Sequence, residues 1–518
     1  MEEKSIFAAP PKGRCGNETG KRQNLLLLPR PPGGEAKKPK KARPAIISPL
    51  DGRGNRETKK ESEKMEEKTL IRDLTTGSPI KQLIGFALPF MFSNMLQQAY
   101  TLADMIIVGR FVGSAGLAAA SNAGESTMLY FFICLGFVSA GQIIVSQHIG
   151  GGSRTRLNAA IGTLFTFTFL LGVVCTVVSL LACDTVLRLV KIPEESMAYA
   201  HDYAMVCYCG NIPVFMYNAI SAVLRGMGDS RHPTIFVATA SVLNIGLDLL
   251  FVGPLGLECF GAALATVLAQ TVAFLLSLAF VYKNRERFCF DFKRKSFAID
   301  RHEFSTLMGL GFPIALQNVA VVVSMMFVNS FINAYGVVAA AVTAVGNKLT
   351  VLATICTGAL NTAGSSIVAQ NFAAGKFTRV SRTLLDILII GLAFVSILSL
   401  LIVSFPEQTF AIFDSNPEVV AMSRTYAPVA VISLIGFATR SAAMALINGI
   451  GFSRLSFVCG ILDGIVFRIG LAVLFGMTFG MGVFGYWLGS AVAGHVFTVI
   501  GGAYFASGWW KKRKPITV

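Results

Sequence analysis

An all-α membrane protein of about twelve transmembrane helices, arranged as two six-helix bundles related by pseudo-two-fold symmetry, is the fold class this sequence predicts. Three observations carry that expectation: the composition, the spacing of apolar stretches, and an internal repeat. With 53% hydrophobic residues, only 14% charged ones, 50 glycines and a mean hydropathy of +0.61, the 518-residue chain is too apolar for a soluble globular protein. From Pro79 onward, apolar stretches of the ~20 residues needed to cross a bilayer alternate with short polar breaks. The second half then repeats the first.

Residues 1–64 are rich in Pro, Gly, Lys and Arg without apolar periodicity and read as a disordered basic tail. Met65 opens MEEKTL, an echo of MEEKSI at Met1, so the tail reads equally as an artefact of an upstream start. NLLLLP within it is too short for the apolar core of a signal peptide. Spans are expected near 80–110, 114–148, 155–182, 196–225, 232–253, 258–282, 303–334, 337–371, 377–405, 417–448, 455–476 and 482–508. They group into an amino-terminal lobe (65–282), a basic linker (283–302), a carboxy-terminal lobe (303–510) and a basic tail (511–518).

Charge placement orients these spans. The even-numbered breaks carry Arg154 and Arg156, Arg225 and Arg231, the segment YKNRERFCFDFKRKSFAIDRHEF, Lys376 with Arg379 and Arg382, and Arg454. The third, fifth and ninth breaks carry mostly acids: Asp184, Glu194, Glu195, Glu258, Glu407, Asp414 and Glu418. By the positive-inside rule the basic set is cytoplasmic, together with both termini, in the cell (inner) membrane. The net charge of +16 is then mainly a topology signal and gives no reason to expect nucleic acid as a partner. Ten cysteines include Cys134, Cys175, Cys356 and Cys459 inside apolar runs, with no CxxC pair, and read as small buried hydrophobes. The five histidines are scattered and form no metal or triad pattern.

The repeat is visible in three places. IVSQHIGGGSRTRLN (144–158) aligns with IVAQNFAAGKFTRVS (367–381), and GMGDSR (226–231) with GIGFSR (449–454), at one offset of about 223. GLECFGAAL (256–264) aligns with GMGVFGYWL (480–488) at about 224. An even number of spans per repeat gives the halves the same orientation, so their axis lies along the membrane normal and a cleft opens between them. That geometry suits alternating access.

Polar residues within the spans mark the chemistry. Asn244 and Asp248 in SVLNIGLDLLFVG are four apart and share one helix face. A carboxylate at membrane depth costs about 2.5–3.5 kcal/mol on insertion scales, so such acids are functional by default. Thr266 lies on the next span, Asn218 on the fourth, and Asn94, Gln98, Thr101 and Asp104 form a polar stripe on the first. Carboxylate, amide and hydroxyl oxygens suit a small hard cation, and two nearby carboxylates in low dielectric suit a proton carrier. The blander reading gives Asp104 and Asp248 separate hydrogen-bond donors and a role in packing alone.

The opening LTTGSPIKQLIGFALPFMFSNMLQQAYTLADMIIVGRFVG, the LRGMGDSR after the fourth span and the duplication together resemble the multidrug and toxic compound extrusion (MATE) family of cation-coupled efflux transporters, over about residues 68–510. The resemblance implies a cation site in the amino-terminal lobe built from Asp104, Asn218, Asn244, Asp248 and Thr266. It also implies Na⁺ or H⁺ as the coupling ion, no cofactor and no other metal. The implied partners are amphipathic or cationic small molecules and membrane lipid, and the implied working unit is a monomer. A second site that some members hold in the other lobe lacks its acids here: the seventh span offers Gln317 and Asn318, and the tenth Arg440.

Gln98, Asn318, Met325, Met326, Asn329, Arg440 and Arg468 are the candidate substrate-cleft residues, since amides and flexible Met side chains adapt to varied ligands. For the charges of the second half, a pairing of Asp463 with Arg468 while Arg440 snorkels to the cytoplasmic side stands beside a substrate role. Two other readings are weighed against the multidrug antiporter. A lipid-linked oligosaccharide flippase calls for extra spans and a strongly cationic cavity. An intramembrane enzyme calls for a Ser/His/Asp set, a His-rich cluster or an acid pair at one membrane face, and the sequence offers none.

Overall fold

The computed structural model describes residues 71–516 apart from 190, 191 and 193. The expected basic tail at 1–64 lies outside the described residues, as do 65–70 and the last two residues. Every described regular element is helical. In chain order the longer ones are α1 Pro79–Phe111, α2 Ser114–Gly150, α3 Arg154–Leu189, α4 Glu194–Cys209, α5 Asn211–Gly226, α6 Arg231–Val252 and α7 Glu258–Lys283. The second half continues with α8 Arg301–Asn333, α9 Val337–Ala373, α10 Phe377–Ser404, α11 Pro417–Gly449, α12 Ser453–Thr478 and α13 Gly482–Ala506.

Ten of the described helices are long and apolar enough to cross a membrane, and α4 with α5 adds an eleventh as one bent span. The chain is a multi-pass membrane protein. Helix α1 spans 33 residues yet falls short on apolarity because Gln82, Asn94, Gln97 and Gln98 dilute it. The 46° bend between α4 and α5 has a local cause. Pro213 has no N–H and its ring collides with the carbonyl four residues back, at Cys209, where α4 stops.

Helix α12 departs from ideal geometry at Leu462–Phe467 and Leu474–Thr478, which are π-helical. A π-bulge accommodates an inserted residue. The repeat shows such an insertion in the same place: the pair Gly256/Gly480 is separated by one residue more than the pair Gly226/Gly449.

The halves meet through symmetric partners. Helix α2 packs on α8 and, in the mirrored contact, α9 packs on α1. Phe137 and Val138 of α2 join Leu307 and Leu310 of α8 in one core, while Leu83 and Phe86 of α1 join Ile367 and Val368 of α9 in another. Small residues permit this closeness: a Cβ on Gly136 would sit 2.5 Å from the backbone of Ala315.

The face bearing the basic loops is sealed by polar contacts. Arg379 donates to the carbonyls of Gly77, Leu74 and Thr76 and to Gln82, while Asn371 donates to the Leu74 carbonyl at 3.0 Å. The segment before α1 is thereby fastened to the opposite half. The expected linker is a packed strap: Phe288 and Phe290 are buried in the amino-terminal core, and Thr166 of α3 donates to the Phe297 carbonyl at 2.7 Å. Its aromatic residues, invisible to a reading by charge, anchor it.

Candidate cation site and two cavities

Helix α6 lies against α1 on one side and α7 on the other, which brings together the polar residues of three spans. Asp248, Asn244 and Asp104 are all buried, Asp248 completely. The Asn244 amide donates to Thr266 Oγ1 at 3.2 Å, so α6 and α7 are tied at this level. One turn away along both helices, Gln270 reaches the Tyr100 hydroxyl at 3.5 Å and ties α7 to α1. Asp104 lies one turn from Tyr100 on α1 and Asp248 one turn from Asn244 on α6, and both carboxylates are buried.

Four oxygens in this group find no hydrogen-bond partner among the described residues: Asp104 Oδ1, Asn244 Oδ1 and both carboxylate oxygens of Asp248. Buried acceptors in native proteins are almost always satisfied. The donor set consists of hard oxygens carrying up to two negative charges, so it fits a small cation or protons, and the packing-only alternative lacks the donors it requires.

Asn218 stands apart. Its amide is spent on the Val214 carbonyl at 2.8 Å, and it lines the cavity between the halves instead of bonding to the other four residues. Tyr100 and Gln270 were not singled out in the sequence, although each lies one helical turn from a residue that was.

The expected single cleft is two cavities. The first, about 380 Å³, lies between the halves and is lined by Asn94, Gln97, Asn218, Arg225, Asn318 and Asn361 among others. Arg225 was read as a loop cation, yet it is buried in α5, where Gln142 accepts from its Nε at 3.1 Å and Phe90 faces its guanidinium at 5.3 Å. The second cavity lies within the carboxy-terminal half and takes Met325, Asn329, Arg440 and Arg468 into its wall. Gln98 and Met326 are exposed and line neither.

Arg440 does not snorkel. Its Nη1 reaches Asp463 Oδ2 at 2.5 Å, while Arg468 Nη2 takes Asp463 Oδ1 at 2.8 Å. A buried carboxylate is a nearer partner than the membrane surface. At the start of α8, Asp300, His302 and Glu303 converge within ligand-set distance because Asp300 caps the helix, accepting from the backbone of His302 and Glu303 at 3.0 Å each. Glu303 also meets His148 Nε2 at 3.2 Å, so local bonding accounts for the cluster.

The model of the MatE family matches residues 89–250 and 313–474. The chain is 30% identical, over 68% of its own length and 77% of the relative's, to a protein of Bacillus subtilis called probable multidrug resistance protein YoeA. It is 26% identical to a protein of Shewanella oneidensis called FAD transporter, covering 70% of this chain and 82% of that one. A solved MOP superfamily transporter from Pyrococcus furiosus superimposes with a TM-score of 0.79 at 23% identity, over 85% of this chain and 98% of the other.

Proposed function

The chain belongs to the multidrug and toxic compound extrusion (MATE) family, and from that premise we propose that it is a secondary active exporter in which inward movement of Na⁺ or H⁺ drives amphipathic, often cationic, organic compounds outward. The observation that supports this reading is the group of four partnerless buried oxygens on Asp104, Asn244 and Asp248. An anionic group without donors favours whichever access state delivers a cation to it, so cation binding biases the rocking of the two halves. A membrane potential adds about 2.3 kcal/mol per charge per 100 mV.

In this reading the basic face is cytoplasmic, both termini included, the membrane is the cell (inner) membrane, and the described state is closed to the cytoplasm. The cavity between the halves is the path for substrate. The protein works as a monomer, needs no cofactor and makes or breaks no covalent bond. Its relatives carry different cargo in their names, multidrug and FAD, so the cargo is set by cavity chemistry and not by fold.

The test is export of a fluorescent cationic dye from proteoliposomes under separately imposed Na⁺ and H⁺ gradients, native protein against Asp248→Asn. Gradient-driven export that falls at least tenfold in the variant is expected. Export unchanged by the substitution sinks the site assignment. Translocation of oligosaccharide lipid without dye export moves the protein to the flippase reading.

A further inference from the structure

The carboxy-terminal half holds a charged cavity that cation coupling leaves unused. It has a volume of about 90 Å³, and its wall includes Arg440, Arg468, Ser490, Asn329, Tyr426 and Trp487. Behind it lies Asp463, fully buried, with one carboxylate oxygen on each arginine. Two guanidiniums thus share one carboxylate. The group carries one uncompensated positive charge in a low-dielectric interior, where a simple ion pair would be neutral.

The arginines also retain donors. Arg468 donates to Ser490 Oγ at 3.1 Å and to Asp463, but its buried Nε–H has no partner among the described residues. Arg440 spends its Nε on the weak acceptor Met444 Sδ, and Phe497 faces its guanidinium at 4.7 Å. Unsatisfied buried donors are costly, and arginine presents a planar fork matched to a carboxylate. The aromatic wall is fixed: Trp487 Nε1 donates to Thr343 at 2.9 Å, and its ring meets Tyr426 edge-on with centroids 5.1 Å apart.

The backbone supplies an independent sign. Asp463 sits in the first π-helical segment of α12 and Arg468 follows it directly, and π-bulges concentrate at functional sites. With the offset of the Gly256/Gly480 pair, which includes the inserted residue, Arg468 is the counterpart of Asn244. An uncharged amide of one half is thus matched by an arginine in the other.

We propose that this cavity binds the carboxylate of a small aromatic acid or zwitterion, with Arg468 and Arg440 as its donors and Trp487 and Tyr426 beside its ring. That such a molecule is a cargo rests on the transport reading; that it binds does not.

Equilibrium dialysis of labelled benzoate and neutral benzamide against the full-length protein in nanodiscs of zwitterionic lipid tests it. Benzoate binds saturably and at least tenfold more tightly than benzamide. Arg468→Gln lowers benzoate affinity at least tenfold and Arg468→Lys restores part of it. Asp463→Asn, which frees positive charge, binds benzoate at least as tightly as the native protein, whereas a purely structural ion cluster loses binding in all three variants alike. Equal affinity for the two probes, or native-like benzoate binding in Arg468→Gln, overturns the proposal. So does displacement of benzoate by phosphatidylglycerol in the disc, which assigns the cavity to a lipid headgroup. Absent benzoate binding with intact gradient-driven dye export removes this inference alone, and benzoate binding without dye export removes the antiport reading alone.

Discussion

Gln147 and Gln370, equivalent residues of the two halves, each reach across to the other half: Gln147 Nε2 donates to the Gly449 carbonyl at 2.8 Å and Gln370 Nε2 to the Gly226 carbonyl at 3.2 Å. The acceptors are themselves a repeat pair. Each glutamine oxygen accepts a backbone N–H from a segment outside the spans, Ile516 for Gln147 and Leu74 for Gln370, both at 3.0 Å. The duplicated sequence has become a reciprocal latch, with both amides fully buried.

Gln370→Ala leaves the Leu74 N–H without its acceptor at the seam and takes one of two donors from the Gly226 carbonyl, which keeps Ser146 Oγ at 3.0 Å. The buried orphan costs about 1–3 kcal/mol, which falls on the state with the basic face closed. Hydrogen exchange of residues 71–78 is expected to rise at least tenfold, and Gln147→Ala to act in the same way on the segment around Ile516. Exchange rates matching the native protein in both variants contradict the latch.

Gly150→Ala acts on the same seam by volume. A Cβ there would overlap the backbone of Gln370 in the opposing helix, and backbone cannot move aside as a flexible side-chain end does. Closure of the basic face is expected to weaken, seen as greater labelling of a cysteine placed at Asn361 in the cavity between the halves. Gly152→Ala has open space but a φ of +72°. It strains its own turn by about 1 kcal/mol without parting the halves, and serves as the control.

Acid is expected to loosen the segment before α1 only at low pH. Burial alone pushes the Asp73 carboxyl up, but hydrogen bonds from Thr75 and Thr76 and the charge of Lys376 outweigh it and hold the carboxyl below 3.8. A lowered folded pKa means a contribution fully present above 3.8 and lost as pH falls through the folded value. Exchange protection of residues 73–76 should be flat from neutral pH to about pH 5 and decline below about 3.8, while Asp73→Asn shows the acid pattern at neutral pH. A decline already complete at pH 5 rules out Asp73 as the cause.

The amide and hydroxyl of the candidate cation site should be separable. Asn244→Ala removes an oxygen that is aimed at no protein donor, so the cation concentration for half-maximal export should rise at least tenfold. Thr266→Val removes only the acceptor of the Asn244 amide, worth about 0.5–1.5 kcal/mol, and a shift of roughly two- to tenfold is expected. The reverse ranking would place Thr266, not Asn244, against the ion.

Several features were legible along the chain because they depend on local pattern. Runs of apolar residues gave the spans, and the i, i+4 spacing of Asn244 and Asp248 gave a shared face that the fold preserves. Arg225 was misplaced because a basic residue next to GMGDSR reads as the start of a loop, whereas α5 continues through it and Gln142 of another helix receives it. Arg440 was misjudged for a related reason: the 23 residues to Asp463 conceal a direct contact. The strap at 283–302 carried its anchors in Phe288 and Phe290, masked by surrounding lysines and arginines.

By itself the sequence determined the membrane class, the duplication and the helix faces, since hydrophobicity and periodicity act over a few turns of chain. Only the tertiary structure decided which polar residues share a pocket: Tyr100 and Gln270 beside the acids of one half, Asn218 away from them, and Asp463 between two arginines in the other half. Such contacts are chosen by helix packing, which brings together residues from 23 to 170 positions apart. In the bilayer, where water cannot satisfy a stranded polar group, that choice decides where charge accumulates.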